Sequence, residues 1–116
     1  MPSPEVATRA LADLLGVLSH PHRVRIVEEL REKERDVNEL ASALGVSHAR
    51  TSQHLTLMRA HHLVVDRRAG RHVHYRLANN GIAAWLLDGF DWVVVEAGQV
   101  EGVVAAVEAA RTLLGS

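Results

Sequence analysis

Between Ser47 and Arg76 the chain carries six arginines, Arg50, Arg59, Arg67, Arg68, Arg71 and Arg76, against the single acid Asp66. Six of the eight histidines fall in the same stretch: His48, His54, His61, His62, His72 and His74. Residues 47–76 therefore balance at +5, while residues 1–46 balance at −2 and residues 77–116 at −4, within a whole-chain charge of −1. A basic block set into an acidic chain is the footprint of a polyanion-binding face. The bland alternative is a solvated charged surface, and the one-sidedness of the block speaks against it. Arginine and glutamine can bond guanine and adenine edges in pairs, while serine, threonine and helix N-termini hold phosphates. The candidate DNA-binding residues are therefore Ser47, His48, Arg50, Thr51, Gln53 and His54, with Arg67, Arg68 and Arg71 reaching backbone or minor groove.

The histidines could also hold a metal. His72 and His74 stand two apart on a predicted strand, His61 and His62 close the helix before it, and His20 and His22 flank Pro21. Imidazole suits nickel, zinc or copper. Each also has a plainer role: His54 facing DNA, His20 starting a helix, His72 and His74 facing solvent on a hairpin. The chain has no cysteine, which excludes disulfides, thiolate metal sites and cysteine nucleophiles. It also shows no phosphate-cradling glycine loop, no paired catalytic carboxylates and no nucleophile motif. An enzyme is not expected, and no cofactor is required.

At 116 residues the chain is about one domain long. No apolar run reaches the ~18 residues of a membrane span, and no leader-like order opens the sequence. The expected address is the cytoplasm, without a membrane partner. Ser3-Pro4 starts a helix with Val6, Ala10, Leu14 and Val17 at helical spacing, widened by Leu11, Leu15 and Leu18. A second helix from His20-Pro21 buries Val24, Val27 and Leu30, with Ile26 flanking, and residues 31–36 read as a charged connector. Asp36 with Glu39 is a capping-box start to a third helix that stops at Gly45. Ser47 caps a fourth helix that turns Leu55 and Met58 inward. The period then changes from 3.6 to 2: Leu63-Val64-Val65, a turn over residues 68–71, then Val73, Tyr75 and Leu77 alternating with polar residues. From Asn79-Asn80 the chain returns to helix, with a further amphipathic helix or a continuation past Gly98.

Two short helices around a tight glycine turn, followed by a hairpin, predict a winged helix-turn-helix. The fold class is mainly α: five or six helices plus a two-stranded β-hairpin wing, homodimeric. Residues 1–116 form a single winged-helix DNA-binding domain, with the helix-turn-helix over 36–60, the wing over 63–77 and dimerisation helices over 1–18 and 79–116.

The segments LSHPHRVRIVEEL (18–30), DVNELASALGVSHARTSQHLTLMRAHHLV (36–64) and RRAGRHVHYRL (67–77) resemble the ArsR/SmtB winged-helix regulators. They carry that family's His/Asp-Pro-x-Arg, Ser-x-His-Leu and Gly-x-x-Val-x-Tyr patterns, and the likeness covers roughly residues 10–95. It implies a homodimer joined by first and last helices, bound to palindromic double-stranded operators, most often as a repressor released by a metal ion or another signal. The family's thiolate positions fall on Asp36 and Asn38, and its interhelical zinc positions on Asn79, Gly81, Trp92 and Val95. Neither set can ligate as in the family. A metal effector here would be nickel or zinc, bound through His61, His62, His72, His74, His20 or His22. The alternatives are a metal-independent regulator and a protein-interaction module without an effector site.

Overall fold

Prolines and polar caps start the first two helices. Helix α1 (Pro4–Val17) is capped by Ser3, whose hydroxyl accepts from the Glu5 N–H at 3.2 Å. Helix α2 (Pro21–Leu30) is capped by His20, whose Nδ1 accepts from the His22 N–H at 3.0 Å. Proline suits both first turns because the N–H it lacks would have no helical partner. In this computed structural model residues 3–97 and 102–114 are described. Strand β1 (Arg35–Asp36) leads into α3 (Val37–Leu44) and α4 (His48–Ala60). Strands β2 (Val64–Ala69) and β3 (His72–Leu77) follow, then α5 (Gly81–Ala97) and α6 (Val103–Leu114).

Helix α3 opens on the expected capping box. Glu39 N–H donates to Asp36 Oδ1 at 2.8 Å, and Asp36 N–H donates back to Glu39 Oε1 at 3.3 Å. It ends at Gly45, whose φ of 70° lies in the left-handed region and whose N–H donates to the Ala41 carbonyl at 2.9 Å. A side chain at that φ would be strained. Only Val46 then separates this stop from Ser47, the cap of α4, and that short turn sets α3 against α4 as a helix-turn-helix.

The wing differs from the expected two strands. All three strands form one antiparallel sheet in the order β1-β3-β2, with Arg35 opposite Tyr75 and Asp36 opposite His74. The end of the charged connector is thus a strand. Two residues are too few to show alternation, so only the pairing reveals it. Ala69 pairs with His72 across the two-residue turn Gly70-Arg71, where Gly70 has φ 63°.

The core gathers where α2, α3 and α4 meet the sheet: Ile26, Val27, Leu40, Leu55, Met58 and Val64 are all but sealed from solvent. Helix α2 is rotated from the expected stripe, since Ile26 is fully buried while Val24 is only half-buried. Val17 and Leu18 anchor the end of α1, but Val6, Leu11 and Leu15 are exposed, as are Trp85, Trp92 and Val93 on α5. The tail past Gly102 is a separate helix, α6, which packs on α5 and α2 and buries Val107. The dimerisation segments expected over 1–18 and 79–116 include residues 1–2, 98–101 and 115–116, which lie outside the described residues. Among the described residues no helix is long and apolar enough to cross a membrane.

Neighbouring leucines on α4 should separate core from surface. Leu55 is 0% exposed and Leu57 37%. Urea unfolding at fixed protein concentration should show Leu55→Ala losing about 2–5 kcal/mol. Leu57→Ala should stay within about 0.5 kcal/mol of the parent.

Candidate nucleic-acid interface

Helix α4 must bury one face and present another, and its buried residues are Thr51, His54, Leu55 and Met58. They follow i, i+3, i+4, i+7 spacing, one full helical face. Thr51 and His54, expected to face DNA, are therefore on the inner side. Apolar residues alone mark Leu55 and Met58 and understate the width of that face. Both polar groups have partners inside: Thr51 Oγ1 donates to the Ser47 carbonyl at 2.9 Å, and His54 Nδ1 lies 3.2 Å from an Arg23 guanidinium nitrogen.

The opposite face carries His48, Ala49, Arg50, Gln53, Thr56 and Leu57, all exposed, with no acid on the helix. Thr56 and Leu57 are missing from the sequence-based set. Counting three and four residues on from Gln53 finds them. Ser47 Oγ accepts from the Arg50 N–H at 3.1 Å, so this hydroxyl serves first as a cap. His48 Nδ1 bonds Asn38 Oδ1 at 2.8 Å, tying the start of α4 to α3.

The wing arginines divide into two kinds. Arg67 is clamped by Glu34, with its Nε 2.9 Å from both carboxylate oxygens and its Nη2 also in contact. That bonding holds the Glu34 carboxyl below the usual range. Arg59 pairs with Asp66 at 3.0 Å. Among the described residues Arg50, Arg68 and Arg71 make no ion pair. These three cations, with exposed Gln53, form an anion-seeking surface on α4 and the hairpin.

The histidines are distributed unlike the sequence expectation. His61 and His62 are exposed at the end of α4, and His62 takes a left-handed φ of 61°. The rings of His72 and His74 are 6.2 Å apart, and His72 Nδ1 sits 3.5 Å from Asp36 Oδ2. Neither pair joins a larger ligand group among the described residues. The rings of His20, His22 and His54 do converge, with centroids 4.6–5.4 Å apart. Burial, then Arg23 and the neighbouring His22, push His20 below its ordinary pKa. Burial, then His20 and Arg23, do the same to His54.

A family model described as bacterial regulatory protein, arsR family, matches residues 20–64. The transcriptional repressor SmtB of Mycobacterium tuberculosis is 42% identical over 87 residues, 75% of this chain and 64% of SmtB. The crystal structure of M. tuberculosis Rv0081 matches with a TM-score of 0.72 and 31% identity, covering 84% of this chain and 96% of that one. The chain belongs to the ArsR family. It spans just under two thirds of the length of SmtB. A homodimeric winged helix-turn-helix DNA-binding domain from Mycobacterium bovis, Mb0332, matches with a TM-score of 0.69 and 26% identity, covering 83% and 93% of the two chains. The ArsR family is one of transcriptional regulators rather than enzymes.

The two sides of α4 should respond differently to truncation. Thr51→Ala removes a buried hydroxyl and methyl and should lose about 1–2 kcal/mol of stability. Gln53→Ala, on the exposed side, should leave the unfolding free energy within about 0.5 kcal/mol of the parent. Equal midpoints for the two variants would contradict the burial of Thr51.

Proposed function

We propose that this ArsR-family chain is a sequence-specific DNA-binding transcriptional regulator that docks as a homodimer on a palindromic operator in the cytoplasm. The observation that carries it is the acid-free exposed face of α4, set beside wing arginines that make no ion pair. A helix of this kind fits the major groove, where each base pair presents a distinct donor and acceptor pattern. Arg50 and Gln53 are the base-reading residues; Ser47 and His48, at the helix start, lie near phosphate. Arg68 and Arg71 hold the backbone, and Arg67 joins them by exchanging Glu34 for phosphate. Thr51 and His54 keep the helix seated and touch no base.

Dimerisation is supported by the apolar side chains left exposed on α1 and α5, since excess apolar surface on terminal helices marks a partner face. A second copy fits because a twofold dimer presents two α4 helices to two half-sites. The donors available to an effector are nitrogen and oxygen, so nickel or zinc is the metal to which the regulator responds. Arsenite and lead, which seek thiolates, should leave DNA affinity unchanged.

The DNA reading predicts a division of labour. On the preferred operator Arg50→Ala and Gln53→Ala should each cost about 1–3 kcal/mol, with little loss on unrelated DNA. Arg68→Ala and Arg71→Ala should weaken binding to every sequence and reduce the salt slope by about one each. Fluorescence anisotropy over a salt series separates the two, and the same proportional loss for Arg50→Ala and Arg68→Ala would sink the assignment. Trp85→Glu should yield a monomer in sedimentation equilibrium that no longer protects a palindromic site. A wild-type mass of 12.7 kDa at micromolar concentration would exclude the dimer.

A further inference from the structure

His20 caps α2, His22 sits in its first turn, and His54 lies on the buried face of α4. One possible ligand nitrogen from each lies within 4.8 Å of the other two, and this is the sole group of three or more such side chains among the described residues. A second observation points to a ligand. His22 Nδ1 and His54 Nε2 are buried side-chain nitrogens without any hydrogen-bond partner. An unpartnered buried polar atom costs about 1–3 kcal/mol, so two of them on members of one cluster need an explanation.

We propose that His20, His22 and His54 bind one nitrogen-seeking divalent cation, zinc or nickel, which pins the start of α2 to the recognition helix. Its regulatory consequence rests on the metal-responsive reading above. Tetrahedral zinc holds its nitrogens at about 2.0–2.1 Å, which places them about 3.3 Å from one another. Donors within 4.8 Å close to that spacing by small side-chain rotations. Burial and neighbouring cations already favour neutral rings at His20 and His54, the form a metal requires.

Two contacts compete with the ion, and they define how loading acts. Arg23 can only donate, so its contact with His54 Nδ1 makes that nitrogen an acceptor and leaves the ring proton on Nε2. His20 Nδ1 likewise accepts from the His22 N–H, which leaves its proton on Nε2. A cation bound at either Nε2 moves that proton to Nδ1, with no net proton released. Nδ1–H then faces a donor, so the Arg23 contact and the α2 cap bond must both open. Arg23 also bonds the Val17 carbonyl at the end of α1. Metal at Nε2 and guanidinium at Nδ1 are thus mutually exclusive partners of the same His54 ring, and exchanging them reaches α1, α2 and α4 together.

The test is calorimetric titration of the full-length, chelator-stripped protein with zinc chloride and with nickel chloride. Operator affinity is measured in parallel. One ion per protomer is expected. His20→Asn keeps a capping side chain and removes a ring, and His22→Ala removes another. Each should weaken binding at least about tenfold, because even a group supporting a ligand is worth 10–100-fold. Arg23→Gln removes the competing cation and should tighten binding, an effect that general loss of structure would not produce. His61→Ala with His62→Ala, and His72→Ala with His74→Ala, should leave affinity unchanged. Binding that survives His20→Asn and His22→Ala, or is weakened by Arg23→Gln, overturns the site while leaving the metal-responsive reading in place. Tight binding at the site with unchanged operator affinity confirms the site and ends the metal-responsive reading. Absence of binding for both ions overturns both.

Discussion

Everything in this fold turns on one requirement: α4 must be held firmly by one side while the other stays open and free of acids. The holding side is Thr51, His54, Leu55 and Met58, packed into a core shared with Ile26, Val27 and Leu40. A hydroxyl and an imidazole in that row make the seat partly polar, and polar burial is tolerable only where partners exist. Thr51 finds its partner on its own helix, at the Ser47 carbonyl, whereas His54 reaches across to Arg23 on α2. The seat therefore links the recognition helix to α2 by directional contacts as well as by packing. Through Arg23 and Val17 it extends to α1, whose outer apolar side chains Val6, Leu11 and Leu15 stay exposed.

Features decided within a few residues were legible in the sequence. The capping box at Asp36 and Glu39, the left-handed stop at Gly45 and the Ser47 cap are local chemistry, and each stands where its residue types predict. The alternation through Val73, Tyr75 and Leu77 likewise marked β3. What escaped was set by distant pairing. Strand β1 exists because Arg35 meets Tyr75, forty positions away. Glu34 and Arg67 are thirty-three apart, so nothing local distinguishes Arg67 from Arg68. The inward turn of Thr51 and His54 was partly visible, since both keep helical spacing with Leu55 and Met58. Their polarity hid them from a stripe defined by apolar residues alone.

The same distinction governs the basic block. Six arginines between Ser47 and Arg76 look equivalent as a charge count, yet Arg59 and Arg67 are engaged by Asp66 and Glu34. A cation already paired gains less from phosphate than one that is not, because the exchange breaks one charge-assisted bond to make another. Non-specific attraction is thereby weaker than the sequence balance implies. On the proposed DNA reading, a smaller share of the affinity is left to sequence-blind contacts, which sharpens the contrast between a cognate site and bulk DNA.

The third strand has a consequence for how the hairpin meets a partner. Because β1 pairs with β3 and runs directly into the cap of α3, the base of the wing and the first helix of the helix-turn-helix are one stiff piece. Only the tip around Gly70 and Arg71 projects past the pairing of Ala69 with His72. A free arm loses much of its freedom at the moment of association, and that loss subtracts from affinity. Here the pairing is made when the chain folds, so Arg68, opposite Val73, is carried on the sheet rather than on a free arm. On the proposed DNA reading, the hairpin works as a calliper that gauges the width of the groove beside the helix.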